Sequence, residues 1–244
     1  MHQLWKIEDK DVINKIKGFL DDKILFIADG HHRYQTAINY SKEISNKTGI
    51  KDENADFNYR MVILANIFDE GLSILPTHRL IKLKDIDLNQ VIEKLKKYFL
   101  IKKIDVNRYE KNLSSKIMND IKSENDHIFA LYTGDSYFTF KLINEESMDN
   151  FAKDHSKTWR TLDVSILHKM ILEHGFGINQ DNLEDHVKYT RDDDEAIKFV
   201  DNNKFNFSFL MNATKIDELK IIAEAGEHMP QKSTYFLPKM LSGL

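Results

Sequence analysis

Cysteine is absent from all 244 residues, which excludes disulfide bonds, thiolate metal sites and cysteine nucleophiles, and fits a cytoplasmic protein. A basic surplus is also missing. With 35 Lys and Arg against 39 Asp and Glu, the formal net charge is −4, so global polyanion binding is disfavoured and nucleic acid is not an expected partner. No apolar run approaches a membrane span, and Met1-His-Gln-Leu-Trp lacks the pattern of a signal peptide, so no membrane partner is expected. Repeats, low-complexity tracts and long flexible linkers are absent as well. What remains, 41% hydrophobic and 11% aromatic residues, is the composition of an ordinary globular chain with a core to bury.

The apolar periodicity alternates between helical and strand-like. Glu8–Phe19 reads as an amphipathic helix, Ile24–Ala28 as a strand, and His31–Ile44 as a helix, with the polar stretch Ser45–Asn58 as a loop. A hairpin is predicted from Tyr59–Phe68 through Asp69-Glu70-Gly71 to Leu72–Leu75. Residues 80–145 then read as a βαβαββ unit, an inserted subdomain: strand Leu80–Leu83, helix Leu88–Tyr98, strand Phe99–Ile104, helix Arg108–Ile121, and strands His127–Tyr132 and Tyr137–Leu142 around Gly134-Asp135. Beyond it come a helix at Asp163–Glu173, strand Val187–Tyr189, helix Asp194–Val200, strand Phe205–Met211, and helix Ile216–Ala225 ended by Gly226. The expected class is α/β (α+β), with a core at 1–79, the subdomain at 80–145, and a helical segment at 146–244 that returns to the core.

The strongest candidate site is Asp29-Gly30-His31-His32-Arg33, at a predicted strand-to-helix turn. Glycine permits close backbone approach, the first helical turn presents unpaired N–H groups, and arginine offers a rigid fork of donors; together they suit phosphate. Successive helical residues diverge by roughly 100°, so His31, on the face of Tyr34 and Ile38, is expected to be semi-buried, with His32 and Arg33 reaching outward. The bland alternative is Asp29 as an N-cap beside solvated histidines. A second His-Arg pair, His78-Arg79, follows Pro76-Thr77; if its strand and Ile24–Ala28 share one sheet, both pairs could meet one anion. Gln231-Lys232-Ser233-Thr234 offers a cation and two hydroxyls between Pro230 and Pro238, without the glycines of a phosphate loop. Asp163 and His168, five apart, read as structural or surface, and Arg191-Asp-Asp-Asp-Glu195 as a solvated helix start that a divalent cation could use.

Ile27-Ala-Asp-Gly-His-His-Arg-Tyr34, Leu75-Pro-Thr-His-Arg79 and Met229-Pro-Gln-Lys-Ser-Thr-Tyr-Phe236 together resemble the family called domain of unknown function 1015. The resemblance implies that the chain begins at a segment matching the middle of those proteins. More distantly, the Asp29–Arg33 turn resembles the phosphate-binding turn of the ParB/sulfiredoxin-like superfamily, which includes nucleotide-dependent free-serine kinases. That resemblance implies a mixed sheet with flanking helices. It also implies nucleotide phosphates at Gly30, His31, His32 and Arg33, Mg²⁺ accompanying ATP or ADP, and Asp29 orienting the turn; the sulfiredoxin cysteine has no counterpart, His31 standing there. The expected function is a phosphotransferase for a small hydroxylated metabolite, free serine being one. Asp29 and His32 are its catalytic candidates, and His78, Arg79, Lys232, Ser233 and Thr234 further phosphate-binding residues. Two alternatives stay open. One is a metal-dependent phosphatase ligating through Asp29, His31 or His32, and His78; the other is a non-enzymatic ParB-like regulatory module. Nucleotide and a small-molecule substrate are the expected partners, and a homodimer is compatible with the sequence.

Overall fold

A computed structural model describes residues 3, 5–107 and 109–238, and it divides into two compact units, Met1–Met61 and Val62–Leu244. In the first unit, α1 (Lys10–Leu20) starts where the Asp9 carboxylate accepts the Asp11 and Val12 N–H groups. The second helix, α2 (His31–Thr48), starts at Gly30 and stops at Gly49, whose φ of 72° turns the chain out of the helix. It runs a turn beyond the predicted end, into the expected loop. A short 3₁₀ turn, Asp56–Asn58, meets α2 through the Ser41 hydroxyl and the Asn58 amide. No described residue of this unit is buried.

Two predicted strands are missing from the structure. Ile24–Ala28 forms no strand, and the Tyr59–Phe68 hairpin does not form. Only Asp69-Glu70-Gly71 turns as expected, and the strand that follows it, β1 (Ser73–Ile74), pairs with β8 (Phe236–Leu237) instead. Both segments carry the apolar pattern of strands, but a pattern fixes a face and not a partner. A strand exists only where another offers its free N–H and C=O groups.

The second unit holds a six-stranded sheet in the order β3-β5-β4-β7-β2-β6. Its strands are β2 (His78–Ile81), β3 (Phe99–Asp105), β4 (Ile128–Tyr132), β5 (Ser136–Leu142), β6 (Val187–Thr190) and β7 (Phe207–Leu210). The α/β (α+β) class with flanking helices is what the structure shows, and every described pairing in the sheet is antiparallel. The βαβαββ order also forms: α3 (Leu88–Leu95) and α4 (Leu113–Ile121) separate β2, β3 and the β4–β5 hairpin, although the predicted helix start at Arg108 lies outside the described residues. Residues 80–145 and 146–244 contribute strands to the same sheet.

Strand alternation sorts the core into two layers. One face carries Ile81, Phe129, Leu131, Phe140 and Phe209, packed against α3, α5 (Lys157–Arg160), and a helix that begins as α6 (Asp163–Ile166) and continues through Leu167–Gly175 in wider π-type turns. Phe207, Val187 and Tyr189 share this face, beside α7 (Leu183–His186) and α9 (Ile216–Glu224). The opposite face carries Leu80, Ala130, Tyr132, Tyr137 and Leu210 against α4 and α8 (Asp193–Asp201). These two layers decide where consecutive residues of β2 can point.

Candidate functional site

The Asp29–Arg33 turn lies in the first unit. Gly30 takes φ 85°, a left-handed conformation suited to glycine, and no side chain caps the helix it begins. Asp29 is therefore not the N-cap; its carboxylate faces Arg33 instead, at 3.8 Å. The Arg33 guanidinium folds back over the glycine, and a Cβ at Gly30 would stand 3.0 Å from Arg33 Nη2. The first regular helix bond runs from the Tyr34 N–H to the Gly30 carbonyl, so the N–H groups before it have no intrahelical acceptor. His31, His32 and Arg33 are all exposed. The expected burial of His31 does not occur: Tyr34 on its face is itself 48% exposed, and no described residue of this unit is buried.

In the second unit, His78 and Arg79 are both buried, and they diverge. As neighbours on β2 they point to opposite faces of the sheet. His78 faces α8, where Nε2 meets the Asp193 carboxylate at 2.6 Å and Nδ1 accepts the Met211 N–H at 3.3 Å. Both ring nitrogens are thus engaged, which removes His78 from the metal set that the phosphatase alternative required. Among the described residues, no three histidine, aspartate or glutamate side chains are placed to hold a metal ion.

The Arg191–Glu195 segment is likewise more than a solvated helix start. Asp192 caps α8 by accepting the Glu195 N–H at 2.8 Å, Asp193 holds His78, Asp194 accepts from Ser114, and Glu195 accepts from the Thr190 hydroxyl. These carboxylates knit α8 to the strand ends and to α4.

Arg79 faces the other layer and is fully buried. Its Nη1 donates to the Thr77 carbonyl and, at 2.7 Å, to the Met211 sulfur; its Nη2 donates to His168 Nε2 at 3.3 Å and to the Lys232 carbonyl at 3.4 Å. Its Nε has no partner, and neither does the buried hydroxyl of Thr77, two residues back along the strand. The Tyr189 ring lies 5.7 Å away. Every acceptor around this guanidinium is neutral. Burial lowers the Arg79 pKa to about 10, and burial beside Arg79 pushes His168 down to about 3, so the imidazole stays neutral and accepts through Nε2. His168 is therefore a buried partner of Arg79. The spacing of Asp163 and His168 carried no sign of this, because a five-residue separation was measured on a regular α-helix and this helix widens at Leu167.

The Lys232–Thr234 segment completes the surroundings of Arg79 through its backbone. Lys232 adopts φ 58°, its carbonyl turned to the guanidinium while its side chain is exposed. Ser233 is tied down, its hydroxyl donating to the Pro230 carbonyl and its carbonyl accepting from Thr214 at 2.9 Å.

Asp163 has a separate role. It meets His127 Nδ1 at 2.6 Å, while Glu145 stands 3.4 Å from Nε2 of the same ring, beside cavities of about 470 and 320 Å³. Burial alone would lower the His127 pKa, but the two carboxylates overrule it and the pKa is raised. A folded pKa above the unfolded value gives stability that is full below the unfolded pKa and is lost as pH rises through the folded one. Urea denaturation should accordingly show stability falling from pH 6 to pH 9, and His127→Gln should flatten that dependence; an unchanged slope in the variant would remove His127 as its source.

Comparison with known proteins places the chain. Residues 1–165 match the family model described as Protein of unknown function (DUF1015). The chain belongs to this family. No curated protein sequence matches the DUF1015 chain. Among solved structures, it is similar to a conserved hypothetical protein from Pyrococcus furiosus, at 17% identity and TM-score 0.43, over 93% of this chain and 83% of that one. It is also similar to a free serine kinase in complex with AMP, at 17% identity and TM-score 0.42, over 95% and 81% of the two chains. A variant free serine kinase in complex with ADP gives 17% identity and TM-score 0.42, over 95% and 82%. Among the described residues of this DUF1015 chain, no helix is long and apolar enough to cross a membrane.

Proposed function

We propose that this chain is a nucleotide-binding phosphotransferase acting on a small hydroxylated metabolite. The observation that carries the reading is Arg79, a fully buried guanidinium with only neutral acceptors around it and an unpartnered Nε beside the unpartnered Thr77 hydroxyl. A buried cation without a counter-charge is strongly disfavoured in an apolar interior. An anion received there supplies the missing charge and both missing acceptors, and a phosphate oxygen fits the guanidinium fork.

In the first unit, the uncapped helix start at Gly30, with His31, His32 and Arg33 around it, offers N–H groups and cationic side chains to nucleotide phosphates. In phosphoryl transfer the protein chiefly positions groups and offsets developing charge, and at this turn Arg33 and His32 are suited to that work. Asp29, held by Arg33, is the local carboxylate for orienting an acceptor hydroxyl. Free serine is the acceptor that the sequence resemblance names, and Mg²⁺ is the ion it would bring with ATP or ADP; no step here depends on a protein-bound metal. In this reading Lys232, Ser233 and Thr234 act by shaping the Arg79 surroundings, with Lys232 free to reach a ligand.

The test is a thermal-shift titration of the full chain with ATP, ADP, AMP and inorganic phosphate, with and without Mg²⁺. Ligands specific to the native state raise the melting temperature by mass action. A rise of several degrees with nucleotide, lost in Arg33→Ala, is expected. Nucleotide protection that survives both Arg33→Ala and Arg79→Met would overturn the reading.

A further inference from the structure

Arg191 extends the Arg79 site. β2 and β6 pair antiparallel with His78 opposite Thr190 and Arg79 opposite Tyr189. Thr77 and Arg191 each stand one residue beyond the terminal His78–Thr190 pair, at the same end of the two strands, and Arg79 and Tyr189 are the next pair in. Both guanidiniums lie against the same short segment. Arg79 donates to the Lys232 carbonyl, and Arg191 sits over the Tyr235 ring at 4.3 Å.

Arg191 repeats the defect of Arg79, since its Nε is buried and has no hydrogen-bond partner, and it makes no ion pair among the described residues. The four carboxylates that follow it in sequence do not serve it. Asp192, Asp193, Asp194 and Glu195 are each engaged with α8 backbone, His78, Ser114 or Thr190. The result is two arginines and one buried hydroxyl at the same end of the β2–β6 pair, with three polar atoms lacking partners: Thr77 Oγ1, Arg79 Nε and Arg191 Nε. One uncompensated guanidinium calls for one negative charge, whereas two call for a dianion.

We propose that Thr77, Arg79 and Arg191 form a three-point seat for the dianionic terminal group of a phosphomonoester, with Arg191 as the residue that selects a dianion over a monoanion. The proposal rests on the reading of Arg79 as an anion seat, and it adds the ligand's charge state and a second arginine. A tetrahedral phosphoryl group has three terminal oxygens, one for each donor. Tyr235 holds the Arg191 guanidinium plane by cation–π contact. A phosphodiester, with two free oxygens and one charge, leaves a donor and a charge unmet.

The experiment is isothermal titration of the full chain with glycerol 2-phosphate, whose second ionisation falls at roughly pH 6, and with dimethyl phosphate, a monoanion throughout, at pH 5 and pH 8. Wild type should bind the monoester about tenfold or more tightly at pH 8 than at pH 5, and dimethyl phosphate weakly at both. Arg191→Met should erase the pH 8 gain, and Arg191→Lys, which keeps the charge but not the fork, should restore part of it. Equal affinity for monoester and diester, or an undiminished pH 8 gain in Arg191→Met, overturns the proposal. If Arg79→Met abolishes binding while Arg191→Met does not weaken it, the Arg79 seat stands and the dianion proposal falls; if neither variant matters, or wild type binds neither probe, both fall.

Discussion

Arg79→Met should leave the ligand-free protein about as stable as wild type, within about 1 kcal/mol, and should abolish protection by phosphate. Lowering the Arg79 pKa from the ordinary arginine value to about 10 corresponds to about 3 kcal/mol of disfavoured burial. The sign follows from linkage. The unfolded chain holds this proton more tightly than the folded one, so the whole penalty is present below pH 10 and is relieved only as pH rises above about 10 towards the ordinary arginine value. Methionine fills a similar volume with a flexible apolar chain and leaves no buried charge. Against this gain stand the lost bonds to Thr77, Met211, His168 and Lys232, each worth up to about 1 kcal/mol net, so the two nearly cancel. At a phosphate concentration one hundredfold above its dissociation constant, wild type gains about 2.7 kcal/mol and the variant gains nothing. Chemical denaturation with and without phosphate reads both effects. A variant that is destabilised yet still protected by phosphate would make Arg79 a structural residue. A site that weakens the empty fold and is stabilised by its ligand is the expected signature of function, since local rules of burial are broken where binding requires it.

Phe209→Ala should destabilise the second unit by about 3–5 kcal/mol. Phe209 is fully buried on β7, its ring 6.1 Å from that of Phe140 and 5.6 Å from that of Phe176, and its register partners are Leu131 and Arg79. Truncation opens a cavity at the centre of the larger layer, where strands from both sides and the widened helix leave little room for collapse. Trp159, buried in the same layer, reports this unit, and a Trp5→Phe background removes the signal of the exposed tryptophan in the first unit. The denaturant midpoint should fall with the slope unchanged. A loss below about 1 kcal/mol would mean that the layer repacks around the missing ring. Because Phe209 borders Arg79, a second consequence follows: anion protection should weaken along with stability, whereas in Arg79→Met the two separate.

Much of the second unit was legible before any coordinates. The β4–β5 hairpin formed around Gly134, with Thr133 and Ser136 closing the turn, because short-range turn chemistry and strand alternation are written in adjacent residues. β3, α8, β7 and α9 also stand close to where their periodicity placed them. The helix starts read at Glu8, Leu88 and Asp194 stand within two residues of the observed ones, where the Asp9, Asp87 and Asp192 carboxylates accept the first N–H groups. The Asp29–Arg33 turn was found from residue types alone, because glycine and arginine advertise a backbone conformation and a donor fork.

Tertiary structure decided the rest, and the reason is partner choice. Ile24–Ala28 and Tyr59–Phe68 carry strand patterns yet stand outside any sheet, while Ser73–Ile74 finds Phe236–Leu237 across more than 160 residues. Local sequence records which face a segment can bury and leaves unrecorded which ladder will accept it. The same holds for the site. His78 and Arg79 read as one pair, and strand alternation sent them to opposite layers, one to Asp193 and the other to His168 and Lys232. His168 read as structural or surface and Arg191 as the first residue of a solvated helix start, because their surroundings are set by the fold: His168 meets Arg79 across 89 residues, and the four acids after Arg191 are all engaged elsewhere.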